Sequence, residues 1–219
     1  MDIVLWGTGG HAREILQVAL DQAADGEDLQ VVGFLDQNAD MHGREVHGLP
    51  VLGDQTWLAR RPEIGVTVAV GNPVYRAQIV RTVVSNGHTR FVALRHPMAW
   101  VGRRVEIGPG TQICAGTTVP TDIRLGAHVI LNRGVQVGHD CELANYVTVA
   151  PGACLSGAVR LGEGANLGTG ASVIQNVEVG AWSMVGAGAT VVRDLPRDVT
   201  AVGVPARVIR TRRAGWHLP

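Results

Sequence analysis

The chain has 219 residues, a length that suits one large or two modest domains with a sizeable core. Its 19 Lys+Arg residues balance 19 Asp+Glu residues, so neither nucleic acid nor an anionic membrane surface is indicated as a partner. Every one of these basic residues is Arg, which excludes Schiff-base and P-loop chemistry because both require Lys.

The cysteines and the apolar segments indicate the compartment. Three cysteines without metal-ligand spacing fit a reducing environment better than a disulfide framework. The N-terminus starts directly with a strand-like run and lacks the features of a signal peptide. No apolar run approaches the roughly 18 residues of a membrane span. We therefore expect a cytoplasmic protein with no membrane span.

Residues 1–95 predict alternating strands and helices. The predicted strands are Asp2–Trp6, Gln30–Leu35, Gly65–Val70 and Phe91–Leu94. Helical patterns follow the first and third strands, the second of them over Val74–Ser85. Between Gln37 and Asp54 the sequence predicts a polar loop with a short apolar patch, Leu49–Leu52. Strands that alternate with helices indicate a parallel α/β sheet, so we expect a small Rossmann-like domain.

From Val101 onward an aliphatic residue recurs every six positions with no insertion. The series is Val101, Ile107, Ile113, Val119, Leu125, Leu131, Val137, Leu143, Val149, Leu155, Leu161, Leu167, Val173, Val179, Val185 and Val191. Neither a helix nor a plain strand has this period, whereas a parallel β-helix of hexapeptide repeats does. Three hexads close one triangular coil, so residues eighteen apart stack on one another. Residues 96–219 are therefore predicted to form an all-β domain of hexapeptide repeats with a short C-terminal tail.

The Gly-rich turn after the first strand, Gly7–Ala12, predicts an anion-binding site. Backbone N–H groups and the helix dipole at such a turn attract phosphate. Gly7, Gly9 and Ala12 also satisfy the loose dinucleotide fingerprint, with Asp36 at the end of the second strand. A nicotinamide cofactor is thus an alternative, although the sheet is short for a complete dinucleotide fold. His11 is either a ligand contact or an ordinary helix-start residue, and Asp36 is either a ribose ligand or a strand-end cap.

His139 is the β-helix residue best suited to general-base chemistry. It occupies an outward-pointing turn position, and Asp140 follows it directly. A carboxylate beside an imidazole orients the ring and raises its basicity. The alternative is an exposed corner histidine without a role. Cys141 occupies an inward hexad position, so we expect an inert buried thiol rather than a nucleophile, and we expect His128 at the surface or in a subunit contact.

The motifs in chain order resemble those of the NeuD/PglD-type sugar acetyltransferases, which belong to the hexapeptide-repeat acyltransferases. They are Gly7-Thr8-Gly9-Gly10-His11-Ala12, Phe34-Leu35-Asp36, Val70-Gly71-Asn72 and the β-helix. The resemblance covers essentially the whole chain and implies a left-handed β-helix, a homotrimer, acetyl-CoA as co-substrate and no metal. It implies direct acetylation of a sialic acid or of a nucleotide-linked amino sugar, and the Gly turn and Asp36 favour N-acetylation of the latter. The alternatives are O-acetylation of a sialic-acid-type sugar and a non-catalytic sugar-binding protein.

The resemblance also implies roles for individual residues. Substrate contacts are expected at Gly9, Gly10, His11, Asp36, Gln37, Gly71 and Asn72. His139 would be the general base and Asp140 its helper, while Asn132 either lines the site or is a turn residue that tolerates positive φ. Acetyl-CoA contacts are expected at Thr148, Gly157, Thr169 and Ala187. Pro73 follows the Gly-Asn pair where many relatives have a polar residue, so the pocket wall departs from the family pattern there.

Two other enzyme classes on related folds fit the sequence poorly. A zinc enzyme like the γ-class carbonic anhydrases needs three converging histidines, but His128 and His139 are the only two in the β-helix and occupy different hexad positions. A nucleotidyltransferase with a β-helical tail needs a larger Rossmann-like domain and a basic Gly-rich loop, which this sequence lacks.

Overall fold

A computed structural model describes residues 1–218, and its N-terminal domain is a five-stranded sheet between helices. The strands are β1 (Asp2–Trp6), β2 (Gln30–Leu35), β3 (Glu45–Val46), β4 (Leu49–Gly53) and β5 (Gly65–Val68), in the order β3-β4-β2-β1-β5. The helices are α1 (Gly10–Ala24), α2 (Gln55–Ala59) and α3 (Pro73–Ser85), with one 3-10 turn at Ala39–Met41. β1 pairs in parallel with both β2 and β5, as the alternating pattern predicts.

Apolar residues on both faces of this sheet hold the helices. α1 packs on one face through Ile15, Leu16 and neighbouring side chains, whereas α2 and α3 pack on the other. Because β1, β2 and β5 are parallel, the segments that follow them meet at one edge of the sheet. Ligands of open α/β sheets bind at such an edge.

The sequence analysis missed the hairpin strands β3 and β4 and the short helix α2. The segment expected as an apolar patch in a loop pairs in parallel with β2 and forms a hairpin with β3. Val51 buries its side chain in the core. The strand is short and Pro50 interrupts its apolar pattern, so no period was visible.

The C-terminal domain is a triangular prism of short parallel strands, one coil every eighteen residues. The face that packs against the N-terminal domain, the docked face, contains Leu94–Arg95, Gln112–Ile113, Ile130–Leu131, Thr148–Val149, Asn166–Leu167, Met184–Val185, Val199–Val202 and Arg207–Thr211. The neutral face contains Trp100–Val101, Thr118–Val119, Gln136–Val137, Cys154–Leu155, Ser172–Val173 and Thr190–Val191. The charged face contains Val105–Ile107, Ile123–Leu125, Glu142–Leu143, Arg160–Leu161 and Glu178–Val179.

The repeated aliphatic side chains form the interior of the prism, as the period of six predicts. Residues eighteen apart pair directly, for example Leu125 with Leu143 and Leu143 with Leu161. The inward positions from Ile113 to Val191 are buried in one continuous cluster. The predicted α/β domain followed by a parallel β-helix is confirmed. The last strand, Arg207–Thr211, runs antiparallel and closes the docked face with a hairpin.

The three edges of the prism share one backbone conformation and differ in side chains. The glycine edge, between the docked and neutral faces, has left-handed φ at Gly116, Gly134, Gly152, Gly170 and Gly188. The histidine edge, between the neutral and charged faces, has it at Arg104, Asp122, Asp140, Ala158 and Asn176. The aromatic edge, between the charged and docked faces, has it at Gly110, His128, Tyr146, Gly164 and Trp182.

The chain crosses between the domains just before the predicted boundary. Phe91 forms a bridge with Val66 of β5, and Leu94–Arg95 then starts the docked face of the prism. Arg133, beside the glycine edge, forms an ion pair with Glu14 of α1 at 3.0 Å. The N-terminal domain thus covers the docked face, and the histidine edge is the edge opposite to it.

Candidate active site

The Gly-rich turn between β1 and α1 is open and has unpaired donors. Gly7 adopts φ +113°, and a Cβ there would lie 3.1 Å from the Ala69 carbonyl oxygen, so glycine is required. Gly9 caps α1 without any side-chain hydrogen bond. A Cβ at Gly9 would meet nothing within 4 Å. The first N–H groups of α1 therefore have no side-chain cap, which is the arrangement an anion site requires.

Asp36 connects the end of β2 to this turn. One carboxylate oxygen accepts from the Thr8 hydroxyl at 2.6 Å and the other from the Asn38 N–H at 2.9 Å. These bonds favour the strand-end cap among the two roles considered, and they leave further lone pairs of the carboxylate for a ligand. Gln37, next in the chain, is exposed.

The Gly71–Asn72 segment forms the start of α3. The Asn72 side chain accepts from the Val74 N–H at 2.9 Å and from the Tyr75 N–H at 3.4 Å, as an N-cap. Pro73 takes the first helical position, where its missing N–H costs nothing. Asn72 therefore shapes the pocket wall, and its side-chain oxygen is already engaged.

His11 links the Gly-rich turn to the β-helix. Its Nε2 lies 2.9 Å from Oε1 of Gln112, whose Nε2 donates to the Val68 carbonyl oxygen at 2.8 Å. Burial lowers the pKa of His11, although the Gln112 hydrogen bond opposes that shift. His11 is therefore neutral at neutral pH and positions the turn without adding a charge. Arg13 is the nearby cation that the sequence analysis overlooked, with Nη2 3.9 Å from where a Gly10 Cβ would be.

His139 and Asp140 form an exposed pair on the histidine edge. Nδ1 of His139 lies 2.7 Å from Oδ2 of Asp140, and the imidazole is 66% exposed. Because a carboxylate only accepts, Nδ1 carries the proton and Nε2 is left with a free lone pair facing solvent. The turn is held between coils, since the His139 carbonyl accepts from the Ala158 N–H at 2.8 Å and the Asp140 N–H donates to Thr121 at 3.3 Å.

Gly157 provides the surface on which the His139 ring rests. A Cβ at Gly157 would lie 2.6 Å from Cε1 and 2.7 Å from Nε2 of the imidazole, closer than real atoms approach. Its φ is not left-handed, so the absence of a side chain is needed for the ring and not for the backbone. No hydrogen bond within residues 1–218 uses the Gly157 N–H.

The remaining predicted site residues lie elsewhere on the prism. Asn132, Thr169 and Ala187 follow strands of the docked face, at the glycine edge, so one chain does not bring them to His139. Thr148 is 7% exposed on the docked face. Its hydroxyl donates to the Gly71 carbonyl at 3.0 Å and accepts from Arg76 at 2.8 Å, and this places it in the domain interface.

His128 does not lie at the surface, contrary to the sequence-based expectation. The side chain is only 3% exposed. Its ring contacts Phe91 edge-on, with the ring centroids 4.6 Å apart, and stacks on Tyr146, with the centroids 5.4 Å apart. The eighteen-residue repeat predicts that His128 lies on an edge of the prism, but it contains no information on whether the N-terminal domain covers that edge. Cys141 is fully buried as predicted, and burial raises the pKa of its thiol.

The described residues contain neither a metal-binding cluster nor a membrane-spanning helix. Within residues 1–218, no three or more His, Cys, Asp or Glu side chains are grouped so that they could hold a metal ion. None of the helices in the described chain is both long enough and apolar enough to cross a bilayer.

Comparison with known proteins relates the whole chain to sugar acetyltransferases. The family model described as the PglD N-terminal domain matches residues 2–83. Perosamine N-acetyltransferase from Caulobacter crescentus, determined with CoA and GDP-perosamine, is 37% identical, with 95% of this chain and 96% of that chain covered and a TM-score of 0.86. No curated protein matches the chain.

Two other solved structures agree with this relationship. The acetyltransferase domain of PglB from Neisseria gonorrhoeae FA1090 is 36% identical, with 95% of this chain and 99% of that chain covered and a TM-score of 0.84. WeeI from Acinetobacter baumannii AYE is 29% identical, with 95% and 100% covered and a TM-score of 0.85. The prism is thus the left-handed β-helix expected from the resemblance. The chain belongs to the NeuD/PglD-type sugar acetyltransferases of the hexapeptide-repeat superfamily, which are acetyl-CoA-dependent acyltransferases.

Proposed function

We propose that this protein transfers the acetyl group of acetyl-CoA to the amino group of a nucleotide-linked amino sugar, with Nε2 of His139 as the general base. The observation that carries the proposal is the exposed His139 imidazole held by Asp140 at 2.7 Å. The relative that is 37% identical was determined with both CoA and a nucleotide-linked amino sugar, which supports the same pair of substrates here.

His139 moves one proton in this reaction. The acceptor amine attacks the thioester carbonyl carbon, forming the C–N bond, and Nε2 takes the proton that the nitrogen loses. When the C–S bond breaks, the departing sulfur receives that proton from the imidazolium. Asp140 stabilises the positive ring between the two events and keeps Nε2 directed outward. No covalent enzyme intermediate is required.

Acetyl-CoA is assigned to the glycine and histidine edges. At the glycine edge, Thr169 and Ala187 directly precede Gly170 and Gly188, where an added Cβ would meet nothing within 4 Å. A long, thin co-substrate can lie close to such a backbone. We assign the Gly157 N–H, which has no acceptor within residues 1–218, to donate to the thioester carbonyl oxygen as its negative charge develops.

The nucleotide-linked sugar is assigned to the N-terminal domain. Gly9, Gly10 and the start of α1 would receive the diphosphate, and Asp36 and Gln37 the nucleoside. This edge of the sheet offers open space above the turn and a carboxylate already oriented by Thr8. The presence of an anion site favours a nucleotide-linked acceptor over a free sialic-acid-type sugar.

A homotrimer would complete the site. Within one chain the N-terminal domain covers the docked face, whereas His139 lies on the opposite edge. A sugar held by one subunit therefore needs the His139 of a neighbouring subunit, and a closed ring of three chains provides it. The three free cysteines fit the cytoplasmic location that we also propose.

The test is release of CoA from acetyl-CoA by the purified protein, offered UDP-, GDP- and dTDP-linked amino sugars and, separately, free sialic acid. We expect turnover with one nucleotide-linked amino sugar and none with the others. Turnover with sialic acid alone would replace the proposal by O-acetylation. A protein that neither binds acetyl-CoA nor turns over any acceptor would overturn it, and the molar mass in solution tests the trimer.

A further inference from the structure

Arg76 of α3 is a fully buried cation without an acidic partner. Its exposure is 0%, and none of the ion pairs within residues 1–218 includes it. Burying a charge is costly unless it is paired or fully hydrogen-bonded. The surroundings of Arg76 must therefore supply acceptors for all of its donors.

Acceptors on the N-terminal side come from the wall of the proposed sugar pocket. Nη1 of Arg76 donates to the Val70 carbonyl oxygen at 2.7 Å and to the Gly71 carbonyl oxygen at 3.0 Å. These two carbonyls precede the Asn72 cap of α3. The guanidinium thereby fixes the backbone of the segment that leads into the pocket wall.

Acceptors on the other side come from successive coils of the β-helix. Nε donates to the His128 carbonyl oxygen at 3.0 Å, and Nη2 donates to the Tyr146 carbonyl oxygen at 2.7 Å and to the Thr148 hydroxyl at 2.8 Å. The Thr148 hydroxyl donates in turn to the Gly71 carbonyl oxygen at 3.0 Å. One planar fork thus joins the two domains, a geometry that the point charge of Lys cannot reproduce.

The guanidinium of Arg76 is hydrogen-bonded to neutral acceptors only, so its positive charge is not neutralised by a carboxylate. Burial lowers the pKa of its guanidinium to about 9, so the group stays protonated at neutral pH. Its positive charge also contributes to the lowered pKa of His11 in the Gly-rich turn. The Gly71 backbone that Arg76 holds also lies beside this turn, because a Cβ at Gly71 would be 4.0 Å from Cγ of His11.

We propose that Arg76 is a positioning residue for the nucleotide-linked sugar, which means that it orients the binding site and makes no contact with the sugar. It clamps the Gly71–Asn72 wall to the β-helix and adds a buried positive charge behind the diphosphate site at the Gly-rich turn. The inference rests on the proposed function. A residue that served only to hold the domains together would change stability and would leave the KM values of folded variants unaltered.

The experiment compares Arg76→Lys, Arg76→Gln and Thr148→Val with the full-length wild type. We expect Arg76→Gln to raise the KM for the nucleotide-linked sugar about tenfold, with the KM for acetyl-CoA unchanged. Arg76→Lys, which keeps the charge but not the fork, should recover part of this loss. Thr148→Val, which keeps both, should give the smallest change and should still speed hydrogen exchange over residues 70–75.

Two readouts keep the test independent of turnover. Titration with the nucleoside diphosphate alone should show weaker binding in the order Thr148→Val, Arg76→Lys, Arg76→Gln. If Arg76→Gln does not fold, Arg76→Lys and Thr148→Val carry the comparison. Unchanged diphosphate affinity and unchanged exchange at residues 70–75 in the folded variants would overturn the inference. Absence of turnover by a wild type that binds the diphosphate would instead overturn only the proposed reaction.

Discussion

The glycine edge and the histidine edge of the prism have the same backbone and opposite side chains. Both turn in every coil through a residue with φ between about 55° and 70°. At the glycine edge all five such residues are Gly, from Gly116 to Gly188, whereas at the histidine edge none is. The left-handed turn alone therefore does not explain the glycines, because Arg, Asp, Ala and Asn make the same turn in the same chain.

We attribute the glycines of the glycine edge to what lies outside the turn and not to the turn itself. At Gly134, Gly152, Gly170 and Gly188 an added Cβ would meet no atom of this chain within 4 Å. Apart from the strain of the left-handed φ, no atom of this chain requires glycine there, and the acetyl-CoA that we assign to this edge would explain the preference. At the histidine edge one turn residue, Asp140, is hydrogen-bonded to His139, which we propose as the general base.

Replacing His139 by Ala tests the functional half of this comparison most directly. We expect kcat to fall by about 100-fold or more, because the proposed proton acceptor is lost. The ring is 66% exposed, so the thermal midpoint should stay within a few degrees. CoA release and a thermal melt measure the two quantities, and an Ala variant with wild-type kcat would show that the histidine edge is not catalytic.

Replacing His128 by Phe tests the aromatic edge, where a turn residue is buried. Burial first, and the nearby Arg76 charge second, lower the pKa of His128 from 6.5 to about 4. Between pH 7 and pH 4 the unfolded chain therefore takes up a proton that the folded chain refuses, and stability is lost as the pH falls. This group accounts for about 3 kcal/mol of that loss.

The Phe variant keeps an aromatic ring between Phe91 and Tyr146 but cannot titrate. Its free energy of unfolding should therefore fall less than that of the wild type over the same pH range. Urea unfolding at pH 7 and pH 4, at one protein concentration, measures the difference. Equal pH dependence in both proteins would contradict the assignment.

Gly157→Ala tests whether catalysis depends on the position of the His139 imidazole, because the variant keeps the ring but displaces it. The new methyl group would lie 2.6 Å from Cε1 of His139, so the ring must move. We expect kcat to fall about 30-fold with little change in stability, since a small displacement of a catalytic group is costly. Gly26→Ala, which faces open space after α1 and lies outside both edges of the prism, is the control for an added methyl group. Equal activity of both variants would show that the ring needs no fixed place.

Gly170→Tyr tests whether an outside molecule explains the glycine edge. Tyr146 makes the same left-handed turn at another edge, so the substitution should fold. If acetyl-CoA lies along this edge, its KM should rise about tenfold, while the KM for the sugar stays unchanged. His47→Tyr, at an exposed left-handed turn between β3 and β4 and outside the prism, is the control. A variant with unchanged acetyl-CoA affinity would move the co-substrate to another surface.

The period of six was sufficient to predict the β-helix, because each inward residue of a coil must be aliphatic. It was also sufficient to place His139 at an outward corner with Gly157 in the next coil. It could not predict which face the N-terminal domain would cover, since that depends on shape complementarity between two domains. This is why His128 was expected at the surface or in a subunit contact, whereas it lies under the N-terminal domain.

Arg76 shows a second limit of sequence reasoning. An Arg in an amphipathic helix ordinarily reaches solvent, and nothing in the residues around it indicates burial. Most of its hydrogen-bond acceptors are backbone carbonyls, which are present at every residue and therefore leave no signal in the sequence. The short strand β4 escaped detection for a related reason, because its partner strands and not its own pattern define it.

The unbroken eighteen-residue coil restricts how such a chain can change in length. Deleting one residue within the prism would turn every following aliphatic side chain away from the interior, so all later coils would lose their core together. Deleting eighteen would remove one layer and leave the rest in phase, shortening the prism by about 4.8 Å. Evolution of this domain is therefore expected to proceed by whole coils, each step shifting the terminal hairpin relative to the N-terminal domain by one strand spacing.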